Sequence, residues 1–193
     1  ARVCQAAAAL DTRRGRAIPS APTMTPADPL GRVGTTVAER YVLTSFLGAG
    51  AMGCVYAAQH AWTGRRVALK LMRATEEVSQ AAIERFVREA RVAANLGHPG
   101  IVDVLDAGED ADGSLFIAFE KLEGESLQAR LRAVKTLPIE EAIRVTLEVL
   151  DALDAAHGHG IVHRDVKPDN VFLARDHRGV ERIKVLDFGV SKV

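Results

Sequence analysis

Only two cysteines, Cys4 and Cys54, occur in 193 residues. That is too few for a disulfide framework or a zinc set, and it fits a reducing compartment. Net charge is absent as well, because 25 Lys and Arg balance 25 Asp and Glu. Bulk electrostatics therefore give no reason to expect attraction to nucleic acid or to an anionic membrane, and any basic site must be local. Nowhere do about 18 apolar residues run together, so no segment reads as a transmembrane helix. The early run VCQAAAAL is short, follows the single charge Arg2 and precedes DTRRGR, a poor match to a secretory signal. These absences predict a cytoplasmic chain. What is present is enough apolar material for a core, at 48% of residues.

Residues 1–38 carry RRGR and four prolines among Ser and Thr, a composition that buries little and reads as a flexible tail. A first unit over 39–122 follows. YVLTSFLG, GCVYAAQHA and RRVALKLM read as consecutive antiparallel strands, Ser79 to about Asn95 as a helix stopped by Gly97 and Pro99, and IVDVLDAGED with SLFIAFEKL as a further strand pair. Five antiparallel strands and one helix make a small α+β lobe. A second unit, 123–193, is mainly helical at first. Ser126 can cap a helix over LQARLRA, and Pro138 suits the first turn of a longer one whose Ile139, Ile143, Leu147, Leu150 and Leu153 keep helical spacing to His157-Gly158.

Several clusters carry chemistry. LGAGAMGCVY places Gly48, Gly50 and Gly53 in G-x-G-x-x-G between two extended runs. A dinucleotide fingerprint needs a helix to open at the third glycine, whereas CVYAAQHA looks extended, so a strand-turn-strand lid over phosphates fits better than that fingerprint, with a plain turn as the simpler alternative. In RRVALKLM, Lys70 shares a face with Ala68 and Met72. On the next helix Glu89 falls on one stripe with Phe86 and Ala93, a carboxylate on an apolar face that wants a cation such as Lys70; Glu84 and Glu76 suit less well. HRDVKPDN, 163–170, is a polar island between IV and VFLA. Asp165 there has the setting of a catalytic base, Lys167 offers positive charge to a transferring group, and Asn170 supplies a neutral oxygen for a hard divalent ion. VFLA and RIKVL can pair as a hairpin, which would bring Asn170 and Asp187 to one end, where Mg2+ could bridge them to nucleotide phosphates.

Taken together, GAGAMGCV, VALK, the helix glutamate, HRDVKPDN and DFG resemble, in that order, the eukaryotic-like protein kinase family, serine/threonine branch and bacterial type, from about Tyr41 to Lys192. The resemblance implies a protein-kinase-like α+β fold with an incomplete second lobe, and ATP with Mg2+ as cofactors. It implies that Lys70, paired with Glu89, orients phosphates, that Asp165 accepts the substrate hydroxyl proton, and that Asn170 and Asp187 hold Mg2+. It also places Leu47, Gly48, Gly50, Gly53, Val55, Ala68, Glu120, Leu122 and Phe172 around the nucleotide, with Phe119 behind the adenine; each could equally be ordinary core. His163 is expected to pack beneath Phe188.

The expected partners are ATP and a protein bearing Ser or Thr, with no nucleic acid. The resemblance stops just past DFG, so the chain reads as an amino-terminal portion of a catalytic domain, with the long helix left bare for a partner to cover. A non-catalytic ATP-binding or interaction module is the alternative. A small-molecule phosphotransferase of related fold fits less well, because its catalytic loop generally lacks a lysine at the position of Lys167.

Overall fold

Strand pleating sends successive side chains to opposite faces, and two short segments show it cleanly. In RVALKLM, Val67, Leu69 and Leu71 are buried while Ala68 and Lys70 are only partly covered. In GCVYAAQH, Cys54, Tyr56 and Ala58 are buried while Val55 and Ala57 are not. In a computed structural model, which describes residues 28–50, 53–72 and 80–188 (the side chains of 80–82, 85, 88, 89, 92 and 93 excepted), these segments are neighbours in one sheet. Its strands are β1 (Thr36–Val37), β2 (Tyr41–Gly50), β3 (Gly53–His60), β4 (Arg66–Met72), β5 (Val104–Glu109) and β6 (Leu115–Glu120). They pair antiparallel throughout, in the order β1-β2-β3-β4-β6-β5.

One face of this sheet gathers Tyr41, Leu43, Phe46, Tyr56, Leu69 and Phe116. The other receives α1 (Gln80–Leu96), whose Phe86 and Ala90 pack with Met72, Ile117 and Phe119. Full burial of a side chain such as Phe86 contributes about 1.5–3 kcal/mol, so this contact alone goes far toward fixing the helix on the sheet.

Among the described residues the sheet has six strands rather than the five expected, because part of 28–38 joins its edge. Thr36 and Val37 pair with Val42 and Tyr41. Arg32 donates to Asp110 and Asp112, each at 2.5 Å, the Ala38 N–H donates to Asp110 Oδ1, and Tyr56 Oη donates to Asp28 Oδ1 at 2.6 Å. Local composition shows few apolar residues here, but Val37 is fully buried in the sheet's core with Leu30 and Ala38 against it, and the polar partners lie far along the chain. Residues 1–27 of the expected tail are outside the described residues.

The second lobe opens with β7 (Gly124–Ser126), which pairs with β8 (Val171–Arg175), which in turn pairs with β9 (Glu181–Val185). Ser126 Oγ accepts from the Ala129 N–H and caps α2 (Leu127–Val134). Pro138 precedes α3 (Ile139–Gly158). Val145, Ala152 and Ala156 of α3 are buried with Leu173, Ile183 and Val185 of the sheet. Ile139, Ile143, Leu147 and Leu150 point the other way and are exposed, Ile139 at 74% and Leu147 at 61%. Four of the five residues of the expected stripe are therefore bare, while Leu153 packs with Val149 against the buried Val145, Ala152 and Ala156.

Two arginines fasten this lobe. Arg130 reaches Glu125, Glu141 and Glu181, while Arg144 reaches Glu148 and Glu181. Glu148 also accepts the Ile183 N–H, so α2, α3 and β9 share one polar network. The lobes meet along β9, where the Val185 N–H donates to Gly100 O at 2.7 Å and the Val102 N–H donates to Val185 O at 3.1 Å. No helix among the described residues is long and apolar enough to cross a membrane.

Candidate nucleotide and metal site

The glycine-rich segment spans the facing ends of two antiparallel strands. Strands β2 and β3 pair up to Gly50 and Gly53, with register shifts between Leu43 and Ser45 and between Phe46 and Gly48, so that Gly48 lies opposite Val55. Gly53 has φ 136°, and a Cβ there would sit 2.1 Å from Leu71 O, so no other residue fits without moving the backbone. Because Gly53 begins a strand, a helix-opening dinucleotide fingerprint is ruled out. Residues 51 and 52, at the tip, lie outside the described residues.

Lys70 stands opposite Val55 on one side and Ile117 on the other. Its Nζ lies 3.4 Å from Asp187 Oδ1, with the lysine side chain largely enclosed. Ala68, two residues back on the same face, is opposite Ala57 and Phe119. Glu89 lies on α1 between Phe86 and Ala90, which face the sheet; its side chain is outside the described residues, so the expected Lys70–Glu89 pair is too. Glu76 is also outside them.

The loop between α3 and β8 is built around His163. This ring is buried; its Nε2 is 2.9 Å from Leu186 O and its Nδ1 is 3.2 Å from the Asp165 N. A carbonyl can only accept and a backbone N–H can only donate, so these partners require the tautomer with hydrogen on Nε2. The ring also packs on Phe188, with centroids 4.7 Å apart, as the sequence predicts. One neutral histidine thus ties the Asp165 loop to the segment bearing Asp187.

Asp165 Oδ2 accepts from Lys167 Nζ and, at 3.1 Å, from Asn170 Nδ2, which also donates to Asp165 O at 2.9 Å. The hydrogen bond from Lys167 is the chief reason the Asp165 carboxyl titrates below the usual range, against the opposing effect of burial. Asn170 and Asp187 flank the Val171–Val185 pair that starts the β8–β9 hairpin, and the Leu186 N–H donates to Asn170 O at 2.9 Å. Among the described residues no donor reaches Asn170 Oδ1 or Asp187 Oδ2. A carboxylate and an amide oxygen left open at one hairpin end are the hard donors that Mg2+ takes, usually one or two from protein with the rest from water and phosphate. The residues therefore fit the ion. Asp187 and Arg164 both adopt left-handed φ, at 56° and 63°, an uncommon backbone for such residues that gathers at functional sites.

The remaining expected positions divide. Leu47 and Val55 are half-buried on the lid strands, and Leu122 packs beside the α1 cluster. Phe172 lies on β8 opposite Ser126 and Lys184. Glu120 closes β6 with its carboxylate engaged: Oε1 accepts from the Asp103 N–H at 3.0 Å and from Lys184 Nζ at 2.5 Å. Sequence reasoning passed over Lys184, since a lysine inside a strand carries no local sign of a partner 64 positions away.

A family profile described as "Protein kinase domain" matches residues 41–193. The chain is 38% identical over 161 residues to the serine/threonine-protein kinase pkn3 of Myxococcus xanthus, covering 83% of this chain and 29% of that protein. It is 42% identical over 152 residues to the serine/threonine-protein kinase PknJ of Mycobacterium tuberculosis, covering 79% and 26%. Among solved structures, the Mycobacterium tuberculosis PknI kinase domain aligns with TM-score 0.69 at 38% identity, covering 83% of this chain and 63% of that one. The chain thus spans less than a third of the length of these curated relatives.

Proposed function

The chain belongs to the protein kinase family, and from that premise we propose that it binds ATP with Mg2+ and transfers the γ-phosphoryl group to Ser or Thr hydroxyls of proteins in the cytoplasm. The observation that carries this reading is the meeting of Lys70 from the first lobe with Asp187 from the second, beside an Asp165–Lys167–Asn170 cluster.

In this reading Leu47, Gly48, Gly50, Gly53 and Val55 cover the nucleotide, Ala68 and Phe172 enclose its base, and the backbone at Glu120 and Leu122 pairs with the base edge. Lys70, with Glu89 as its helix partner, orients the phosphates. Asn170 and Asp187 hold Mg2+, which when bound screens charge on the phosphate oxygens. Asp165, kept ionised by Lys167, accepts the hydrogen bond of the attacking hydroxyl and takes its proton as the phosphorus–oxygen bond forms and ADP leaves. Lys167 offsets charge on the phosphoryl group in transit.

Incubation with labelled ATP and a generic basic protein, followed by phosphoamino-acid analysis, tests the proposal. The expected products are phosphoserine and phosphothreonine, and Asp165→Ala should lower the rate about 10²- to 10⁴-fold. Unchanged turnover in that variant would reject the base.

The exposed Ile139, Ile143, Leu147 and Leu150 favour a second reading, a non-catalytic ATP-binding module whose α3 face is covered by a partner. Mg-ATP binding without any phosphorylated product, from monodisperse protein, distinguishes it.

A further inference from the structure

Lys184 occupies a position that neither the lid nor the catalytic loop explains. It lies on β9 directly opposite Phe172, the residue read as one wall of the base site. Its side chain crosses to the other lobe, where Nζ donates to Glu120 Oε1 at 2.5 Å and to Ile101 O at 3.0 Å. Both partners are well covered, with side chains 14% and 24% exposed. Glu120 Oε1 also accepts the Asp103 N–H, and the Glu120 N–H returns to Asp103 O at 3.0 Å. The end of β6, the turn before β5 and strand β9 are thereby tied at one carboxylate.

We propose that Lys184 is a positioning residue, a strut that sets the Glu120–Leu122 backbone at the correct height over Phe172 and so determines how tightly the base, rather than the phosphates, is held. The inference rests on the nucleotide reading above. A charge pair this enclosed holds its geometry better than a surface pair, because solvent screens it less and removing one partner strands the other. The phosphate end has supports of its own: Lys70 is carried by β4, and Asn170 and Asp187 by the backbone pairing of β8 with β9, which does not use the Lys184 side chain.

Calorimetric titration of the full chain with Mg-ATP and with Mg-tripolyphosphate, which lacks the base, tests the strut. Lys184→Met should weaken Mg-ATP on the order of tenfold while Mg-tripolyphosphate changes by less than about twofold. Glu120→Gln should do the same, the double variant should be no worse than either alone, and Lys184→Arg should retain most of the affinity. If Lys184→Met does not fold, Glu120→Gln supplies the comparison, since it keeps shape and the Asp103 contact. Equal loss with both probes, additive losses, or unchanged Mg-ATP affinity overturns the strut while leaving the nucleotide reading intact. Wild-type protein that binds neither probe contradicts the nucleotide reading and removes the strut's role with it.

Discussion

Asp165 Oδ2 is shared between an ammonium and an amide, and this sharing limits what the carboxylate can do. The Lys167 hydrogen bond holds this carboxyl below the usual range, so in the proposed reaction it is a weak base whose first task is to align the hydroxyl. Its partners are fixed in turn: His163 binds the Asp165 N–H and packs on Phe188, so motion in either segment is felt in the other. Gly53 is a second residue with a single solution. Gly53→Ala would put a methyl against Leu71 O in a backbone region that L-residues avoid, and a loss of about 2 kcal/mol is expected. Denaturant unfolding monitored by circular dichroism checks it; a change below about 0.5 kcal/mol would mean that the strand shifts freely. Asp187 stands out in the sequence because it follows an apolar run as a group that is costly to bury unpaired, and Asp165 and Asn170 because they fall in a polar island between IV and VFLA. The pairing of Lys184 with Glu120 was not legible, since it depends on how two lobes dock.

At the scale of elements, β3 and β4 were legible because burial on one face enforces an alternating pattern that residue types record directly. Strand β1 was hidden, because its one buried residue, Val37, makes no periodic pattern and the rest of the attachment runs through Asp28, Arg32 and Asp110. This anchoring has a pH signature. Burial pushes the Asp110 carboxyl up, but the Ala38 N–H and the Arg32 guanidinium more than offset it, and the group titrates below the usual carboxylate range. A depressed folded-state pKa stabilises the fold above the unfolded value and is lost as pH falls through the folded one. Asp110→Asn is therefore expected to lower stability at neutral pH and to flatten its dependence on pH below about 4. Melts at a series of pH values check this; a variant as acid-sensitive as the wild type would show that the anchor contributes nothing to acid unfolding.

For the whole molecule, the packing of α3 is the unusual feature. Small residues Ala152 and Ala156 face the sheet, while Ile139, Ile143, Leu147 and Leu150 face solvent. The spacing in the sequence identified the apolar stripe, and only the fold shows that Leu153 of it packs on the core beside Val145, Val149, Ala152 and Ala156 while the other four stay exposed. Leu147→Lys should leave the melting transition almost unchanged, as surface substitutions do, while sharply reducing binding of a hydrophobic dye; a large destabilisation would mean that this face is packed. The central claim concerns the junction of the lobes, where Lys70 of β4 meets Asp187 just past β9, and Asn170 stands across the hairpin. Calorimetric titration with ATP, in Mg2+ and then in a chelator, tests it most directly. Saturable binding that needs Mg2+, and that weakens at least about tenfold in Asp187→Asn, is the expected result. Binding indifferent to both the ion and Asp187 would contradict it.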